Sequence, residues 1–388
     1  MNLMNFFGES SIAKGITVLD VIKDFAENNE SINPIKGGMA LNYLYNNKQP
    51  SARNTVDIDY HFEKEGDWNK FKTESIDKAT KLSKLGIVYN IIKTKVNENG
   101  ESLTVEFTHK DLCGKFKIDM NYGTYCKTVN VGDVILYSPE MIIADKLSVI
   151  CSSNIQRRCK DLYDIYLVTK HESFKLHELA EEVFKKVQSR GIAMGKLSLL
   201  NPEILYNLQL GYRKLKLIDM PEFAEICKVD LKFVLPLLAL LEGANIPDIE
   251  WNCANENWNT TAIYGLRVAK DLKGIIEKES ASAVLHLSTF PPFPTLVSNK
   301  LVDVDMGIVK FSTKNYNEDN IRYLGNDLYV TNEARTIIDM LEDGEYRILI
   351  ESIETYKDMH NGNLDSLFKI AKEYNKVELL KEVLKDIN

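Results

Sequence analysis

Two aspartates separated by a single residue, Asp57 and Asp59, constrain the fold of this chain more than any other feature. The surrounding sequence VDIDYHF alternates polar and apolar side chains, which predicts a β-strand. Because successive side chains of a strand point to opposite faces, the two carboxylates share one face, roughly 7 Å apart at Cα. Val56, Ile58 and Tyr60 then point to the other face, into a core. Carboxylates held this close repel each other unless a cation lies between them.

A glycine pair, Gly37–Gly38, opens a predicted helix upstream of this strand. Glycine lets the backbone approach a ligand without a Cβ clash, and a helix N-terminus presents free N–H groups and a positive dipole end. Phosphate at that helix end and Mg²⁺ (or Mn²⁺) on the aspartates would together hold a nucleoside triphosphate, NTP. Arg53 and Thr55, beside the aspartates, belong to the same predicted nucleotide site. The alternative is a βαβ-like turn that carries an aspartate pair on its surface.

A third acid, Asp119, lies on another predicted strand, residues 115–122. Phe116 and Ile118 fall on one face of this strand, and Asp119 falls on the opposite, polar face. Asp119 is therefore either a third metal ligand or a solvated strand residue.

Further along, the Ser-Pro-Glu sequence at residues 138–140 predicts a helix start, with Ser as N-cap, Pro at the first position and an acid in the first turn. Lys146 lies in the apolar stretch of this helix. Asp161 and Asp164, three residues apart, share one side of the next predicted helix. We expect Asp161 to orient Lys146 or Arg157, or else to be a charge at a helix N-terminus.

The sequence GGMALNYLY followed by RNTVDID resembles the first motif of the nucleotidyltransferase superfamily that includes DNA polymerase β. It is more narrowly similar to the AbiEii/AbiGii-type abortive-infection toxins, which read G-G-T/S-A-L and then R-x-S/T-x-D-I-D. Met39 stands where that family commonly has a hydroxyl residue. The run PEMIIADKLSVICSSNIQRRCKDLYDIYLV resembles the later motifs of the same family, so the resemblance covers residues 35 to about 168.

This resemblance implies an α+β fold, a mixed-sheet nucleotidyltransferase domain followed by a helical bundle. It implies Mg²⁺-dependent transfer of a nucleoside monophosphate, NMP, from an NTP to an acceptor with release of pyrophosphate. Asp57, Asp59 and Asp119 are the implied metal ligands, and Asp119 helps to activate the attacking hydroxyl. Lys146 is the implied cation on the triphosphate, and Asp161 joins the catalytic residues.

For this family the acceptor is typically RNA, often the 3′ end of tRNA, and the outcome is growth arrest during phage defence. Basic residues at 157–160, 185–190 and 213–216 could line a path for RNA, or they could be solvated helix faces. Two other functions stay open: a nucleotidyltransferase that modifies a protein side chain, and an inactive fold kept as an interaction module.

The length of 388 residues predicts two or three domains. We expect a nucleotidyltransferase domain at 1–170, a helical bundle at 171–250 and a smaller α/β region at 251–388, where short strands such as 283–287 and 327–330 appear. The segment YVTNEARTIIDMLE in this last region resembles the T-x-x-E-R-T-L-x-D-L-L pattern of AbiEi-type antitoxins. The C-terminal region is therefore an expected antitoxin-like module, and a cognate antitoxin is an expected partner.

Composition excludes some broad classes. The net charge of −8 argues against a protein that coats nucleic acid through bulk charge. The six cysteines form no C-x-x-C pair, which argues against a zinc site or a disulfide framework. No signal peptide is seen, and the longest apolar run, 233–241, is shorter than the ~20 residues that span a bilayer. We expect a cytoplasmic protein without membrane contact.

Overall fold

The computed structural model describes the chain in part. It leaves undescribed residues 1–10, 14–15, 30, 46–54, 56, 65–66, 98–99, 111, 124, 151–153, 193–201, 216–220, 242–249, 252–264, 267, 271, 290–293, 300–306, 308, 326 and 388. Arg53, one of the predicted nucleotide-binding residues, lies outside the described residues.

The described residues form both strands and helices. The strands are β1 (Ser11–Ala13), β2 (Ile16–Thr17), β3 (Ile35–Lys36), β4 (Asp57–Phe62), β5 (Val88–Asn97), β6 (Gly100–His109), β7 (Leu112–Tyr122), β8 (Thr128–Val131), β9 (Val134–Tyr137), β10 (Phe174–Lys175), β11 (Glu250–Trp251), β12 (Ile275–Ile276), β13 (Thr295–Ser298), β14 (Val309–Ser312), β15 (Ile321–Gly325) and β16 (Leu328–Thr331). The helices are α1 (Val18–Asn28), α2 (Gly37–Tyr45), α3 (Asp67–Leu82), α4 (Pro139–Ile150), α5 (Cys159–His171), α6 (Leu176–Ser189), α7 (Pro202–Tyr212), α8 (Phe223–Leu241), α9 (Lys278–Val284), α10 (Glu333–Asp343), α11 (Tyr346–Met359), α12 (Asp365–Glu373) and α13 (Val377–Ile387).

The main sheet has seven strands in the order β5-β6-β7-β4-β3-β9-β8. Strands β4 and β7 run parallel, as do β3 and β9, and the other neighbours are antiparallel. The sheet is therefore mixed, and the predicted α+β class is confirmed. The parallel β4–β7 pair places the two predicted acidic strands side by side in the middle of the sheet.

One face of this sheet is covered by α1 and α3. Phe71 of α3 packs on Tyr60 with ring centroids 4.9 Å apart, and Phe25 of α1 packs on Phe116 at 5.4 Å. Tyr60 and Phe116 belong to the apolar positions of β4 and β7 and are almost fully buried. The core thus takes the apolar side of both strands, which leaves their acidic side chains on the opposite face.

Helices α4 to α8 follow the sheet. The predicted start of α4 is confirmed, because the Ser138 hydroxyl accepts a hydrogen bond from the Met141 N–H at 3.2 Å. The described part of residues 171–241 consists of helices and short turns, together with β10, which pairs with β11 in a short antiparallel ladder. No helix in the described part of the chain is long and apolar enough to cross a membrane.

The C-terminal region contains a second sheet, in the order β14-β13-β12-β16-β15, together with α9 to α13. The predicted strand at 283–287 is wrong: α9 ends within it and a turn follows. A short apolar run of this kind fits either structure, and here burial of Ala281 and neighbouring serines against α10 and α11 favours the helix. The predicted strand at 327–330 corresponds to β16.

The antitoxin-like segment contributes a buried ion pair to this second core. Arg335 donates to both carboxylate oxygens of Asp339, at 2.9 and 2.7 Å, and its guanidinium lies 3.6 Å from the centre of the Tyr374 ring. Bidentate pairing and ring stacking use the planar shape of arginine. Arg335 and Asp339 therefore have a structural role, because Arg335 links α10 to Tyr374 at the end of α12.

Candidate active site

Three predicted acids lie together on the polar face of the sheet. In the parallel β4–β7 ladder, Asp59 lies directly opposite Asp119, and Asp57 lies opposite Lys117. Paired residues of neighbouring strands point to the same face. The alternation of buried Ile58 with partly exposed Asp57 and Asp59 shows the same arrangement within β4. The strand patterns predict the polar face of each acid, and the structure places the three carboxylates next to one another on that face.

Hydroxyl groups hold two of these carboxylates. The buried Thr55 donates from Oγ1 to Oδ1 of Asp57 at 2.6 Å. Ser102, which lies opposite Asp119 in the β6–β7 ladder, donates a short hydrogen bond to that carboxylate. Asn97 in turn donates to the Ser102 hydroxyl at 2.7 Å. Thr55, predicted as a nucleotide-binding residue, is therefore in contact with Asp57 in this structure.

Gly37 explains why a glycine is needed beside the acids. It begins α2 with a φ of +67°, in the left-handed region, and a Cβ at this position would overlap the Asp59 carboxylate. Any other residue would be strained by its backbone and would displace the acid. Gly38 follows inside α2 and is buried, and its carbonyl accepts from the Asn42 amide at 3.1 Å. The helix start therefore lies against Asp59.

The acids carry an unfavourable concentration of negative charge. The pKa of Asp59 is raised from 3.8 to about 6, chiefly by burial; the carboxylates of Asp57 and Asp119 also raise it, whereas Lys36 and Lys146 oppose the rise. Since the ionised forms repel one another, a cation between them would relieve the strain. Carboxylate oxygens are the donors that Mg²⁺ prefers.

These carboxylates do not form a closed cage in this structure. Within the described residues, no three acidic, histidine or cysteine side chains converge closely enough to hold a metal ion as they stand. The hydroxyl contacts account for this, because they turn Asp57 toward Thr55 and Asp119 toward Ser102. The register, the donor chemistry and the charge of these carboxylates fit a divalent cation.

Basic side chains surround the acids on the α4 and α6 side. Lys36 lies opposite Asp59 in the β3–β4 ladder. Asp145 of α4 forms ion pairs with Arg190 at 2.5 Å and with Lys186 at 3.4 Å. Burial opposes ionisation of Asp145, but Lys36, Arg190, Lys186 and Lys146 together lower its pKa. Asp145 is thus an anchor for the cations that border the acid cluster.

Lys186 belongs to this anchor and is buried, so it does not line the surface path proposed for RNA. Its ammonium donates to the Tyr137 hydroxyl at 3.3 Å, and that hydroxyl lies 2.9 Å from Nδ1 of His61. The pKa of His61 is lowered to about 4, chiefly by burial and also by the nearby Lys186 and Lys36. His61 follows Asp59 on the same strand face, and it is neutral at physiological pH.

Lys146 lies in a buried ion triad. Its ammonium is 2.7 Å from Asp161 Oδ1 and 2.8 Å from Asp164 Oδ2, and all three side chains are less than a tenth exposed. Arg158 adds a contact to Asp161 at 3.4 Å. The predicted pairing of Asp161 with Lys146 is present, and Asp164 is a second partner. Lys146 also lies near enough to Asp59 to lower its pKa.

Three residues of this site were missed by the sequence patterns: Lys36, Ser102 and Asp145. Ser102 could have been found, because it and Asp119 are equally distant from the turn between His109 and Leu112 in the β6–β7 hairpin. Lys36 and Asp145 had no such signal, since their position depends on which strands and helices pack together.

Comparison with known proteins supports this description. The family model for the nucleotidyl transferase AbiEii toxin of type IV toxin–antitoxin systems matches residues 35–235, which include every acid and lysine of the candidate site. The chain belongs to the AbiEii family. It is therefore a nucleotidyltransferase, and the resemblance seen in GGMALNYLY and RNTVDID is confirmed. The antitoxin-like segment lies outside the matched residues, and its assignment stays a prediction.

Solved structures also show similarity to this AbiEii protein. JHP933 from Helicobacter pylori has 19% sequence identity and a TM-score of 0.32, covering 50% of this chain and 90% of JHP933. A candidate nucleotidyltransferase from H. pylori has 15% identity and a TM-score of 0.38, covering 59% of this chain and 97% of that protein. No curated protein matches the chain.

The raised pKa of Asp59 predicts a pH-dependent gain in stability for Asp59→Asn. Below about pH 4 the carboxyl group is protonated in both the folded and unfolded states, so the variant should match the parent. As the pH rises through about 6, the parent loses stability on ionising Asp59, and the variant does not. In metal-free buffer at pH 8, urea unfolding should show the variant more stable by roughly 2 kcal/mol.

The control for this measurement is Asp77→Asn, a change at an exposed position of α3. It should leave the difference from the parent small and independent of pH. A constant or falling stability of Asp59→Asn relative to the parent between pH 4 and pH 8 would show that the Asp59 carboxylate is not electrostatically strained.

The buried triad predicts that Lys146→Met is destabilising by about 3–5 kcal/mol, because it removes the buried cation that two buried carboxylates share. Adding Asp164→Asn should recover much of this loss, since Asp161 keeps Arg158 as a partner. Chemical denaturation of the two single variants and the double variant measures this coupling.

Lys170→Met provides a matched control, because Lys170 pairs with Glu225 at 3.2 Å in a far more exposed position. It should cost less than about 1 kcal/mol. If Lys146→Met cost no more than this control, Lys146 would not be held in a buried triad.

Proposed function

We propose that this AbiEii protein transfers an NMP from an NTP to RNA, with Mg²⁺ (or Mn²⁺) as the cofactor, and acts as the toxin of its toxin–antitoxin pair. The observation that carries the proposal is the row of acids, Asp59 opposite Asp119 with Asp57 beside them, against the glycine-opened start of α2. Metal-dependent nucleotidyl transfer needs carboxylates that hold the metal and, beside them, a site for the phosphates of the nucleotide. Membership of the AbiEii family gives the reaction class, and the three acids are the proposed catalytic centre.

Each acid has a distinct role in this proposal. Asp57 and Asp59 would hold the metal, which when bound would neutralise charge on the phosphates and on the leaving oxygen. The acceptor hydroxyl attacks the α-phosphorus, a new P–O bond forms, and the bond to pyrophosphate breaks. The hydroxyl proton passes to Asp119, which Ser102 orients through its hydrogen bond. Asp119 therefore lies where the acceptor enters.

The nucleotide would lie on the α2 side of the acids. The first N–H groups of α2, at Gly37 and Gly38, face bound phosphate, and Lys36 adds a positive charge directly opposite Asp59. Lys146 contributes charge from the buried triad, and Asp161 keeps its ammonium in place. Thr55 contributes by orienting Asp57, and Arg53 remains a proposed phosphate contact.

We further propose that the catalytic part of the chain spans residues 1–170, with a helical bundle at 171–250 and an antitoxin-like module at 251–388. The family match runs through 235 and so includes both the sheet and most of the proposed bundle. A type IV toxin implies an antitoxin partner. In this proposal the protein acts in the cytoplasm, its acceptor is tRNA, and its biological role is phage defence.

Incubation with each α-labelled NTP, Mg²⁺ and total RNA tests this function. We expect label on RNA with the parent protein, and a loss of roughly 10²–10⁴-fold with Asp57→Asn, because removing a metal ligand forfeits several kcal/mol of transition-state stabilisation. Asp77→Asn, on the outer side of α3, should keep the parental rate.

Parental turnover of Asp57→Asn would rule out this acid pair as the metal site. Label on protein in place of RNA would move the enzyme to the protein-modifying alternative. Absence of label with every NTP and both acceptor classes would favour an inactive interaction module.

A further inference from the structure

The polar face of the main sheet continues beyond the acids onto strands β7, β6 and β5. Strand register places Lys95, Ser102, Asp119 and Asp59 in one row across four strands. A second row, one side-chain step along the strands, contains Lys93, Thr104, Lys117 and Asp57. Both rows start at exposed lysines on the edge strand and end at the metal-binding acids.

This face is open to solvent. The side chains of Lys93, Lys95, Lys115 and Lys117 are all exposed, whereas Leu103, Val105 and Ile118 on the opposite face are fully buried. Helices α1 and α3 cover that opposite face, as the Phe25–Phe116 contact shows. Since β5 is the last strand of the sheet, the lysines lie at an accessible margin of the catalytic face.

The positive charge of this face is mostly unneutralised. Glu106 is the carboxylate on its outer part, and it pairs with Lys115 at 3.7 Å. In the described portion of the chain, Lys93, Lys95 and Lys117 have no carboxylate within ion-pair distance. A chain with a net charge of −8 therefore presents a local cluster of cations directly beside its catalytic acids.

We propose that this lysine face, defined as Lys93, Lys95, Lys115 and Lys117, binds the phosphate backbone of the acceptor RNA and guides its 3′ hydroxyl to Asp119. The inference rests on the proposed function and deepens it. Along β7, Lys117 lies two residues from Asp119, roughly 7 Å, and Lys95 lies two strands away, about 10 Å. An RNA strand bound along the first row would thus deliver its end to Asp119, the acid that accepts the proton, and the second row runs beside it to Asp57.

The chemistry of the face favours nucleic acid over a protein partner. Its described positions on β5, β6 and β7 carry mainly lysine, threonine, serine and asparagine, together with Glu106, Asp119, Cys113 and one exposed apolar residue, Val88, and no aromatic side chain. Stable protein interfaces usually have an apolar or aromatic centre. Lysine and hydroxyl donors without a stacking platform suit phosphate groups, so binding should be insensitive to base sequence and strongly sensitive to salt.

The face also replaces part of the path predicted from helix-surface cations. Arg158 is paired with Asp161, and Lys214 donates to Gln156 at 3.0 Å. These contacts occupy two of the predicted cations, whereas Lys93, Lys95 and Lys117 have no ion pair within the described residues.

The test measures binding of a 5′-fluorescein-labelled single-stranded RNA to the full chain by anisotropy over a range of salt concentrations. The double variant Lys93→Glu/Lys95→Glu loses two phosphate contacts. The slope of log affinity against log salt concentration should therefore become less negative by about 1.4. Affinity at low salt should fall on the order of tenfold. Both lysines lie on the edge strand, away from the nucleotide side, so affinity for Mg²⁺–NTP should stay unchanged.

The matched control is Lys70→Glu/Lys81→Glu, which makes the same change of net charge at exposed positions of α3, on the other face of the sheet. It should weaken RNA binding little. Equal weakening by both variants, or none by Lys93→Glu/Lys95→Glu, would overturn the lysine face while leaving label transfer to RNA intact. If the parent protein instead labels only protein, the RNA acceptor itself fails, and the two failures are distinguished.

Discussion

The mutual repulsion of three carboxylates is the constraint on which this site depends. Parallel pairing of β4 with β7 fixes Asp59 opposite Asp119, and the side-chain alternation of β4 adds Asp57 on the same face. The buried core under α1 and α3 keeps these strands from changing register, because a shift by one residue would bury the acids. Burial is the main cause of the raised pKa of Asp59, and the charges of Asp57 and Asp119 add to it, so a cation bound between these carboxylates would lower that pKa.

The rest of the site balances that charge from two sides. On one side Lys36, Lys146 and the cations around Asp145 approach the acids, and the glycine-opened start of α2 supplies N–H groups. On the other side the sheet continues into exposed lysines. This distribution fits two substrates that both carry phosphates, an NTP on one side of the acids and a nucleic acid on the other.

Local patterns in the sequence were sufficient for the acidic strands but not for the partners of the acids. Alternation predicted the shared face of Asp57 and Asp59 and the polar side of Asp119, since side-chain direction in a strand is a local property. The partners Lys36 and Asp145 come from pairing of distant segments, which no local pattern encodes. For Lys146, helical spacing placed Asp161 and Asp164 on one side, yet their shared contact with one ammonium depends on how α4 packs against α5. The strand predicted at 283–287 failed because a short apolar run fits both periods.

The central claim is that the in-register acids form a metal and nucleotide site, and a Mn²⁺ anomalous difference map tests it most directly. Crystals grown with Mn²⁺ and a non-hydrolysable NTP analogue should show a strong peak between the carboxylates of Asp57 and Asp59, with Asp119 in reach and phosphate density at the start of α2. Crystals of Asp59→Asn prepared identically should lose the peak. Manganese bound elsewhere, or nucleotide bound away from α2 with the acids unliganded, would contradict the account.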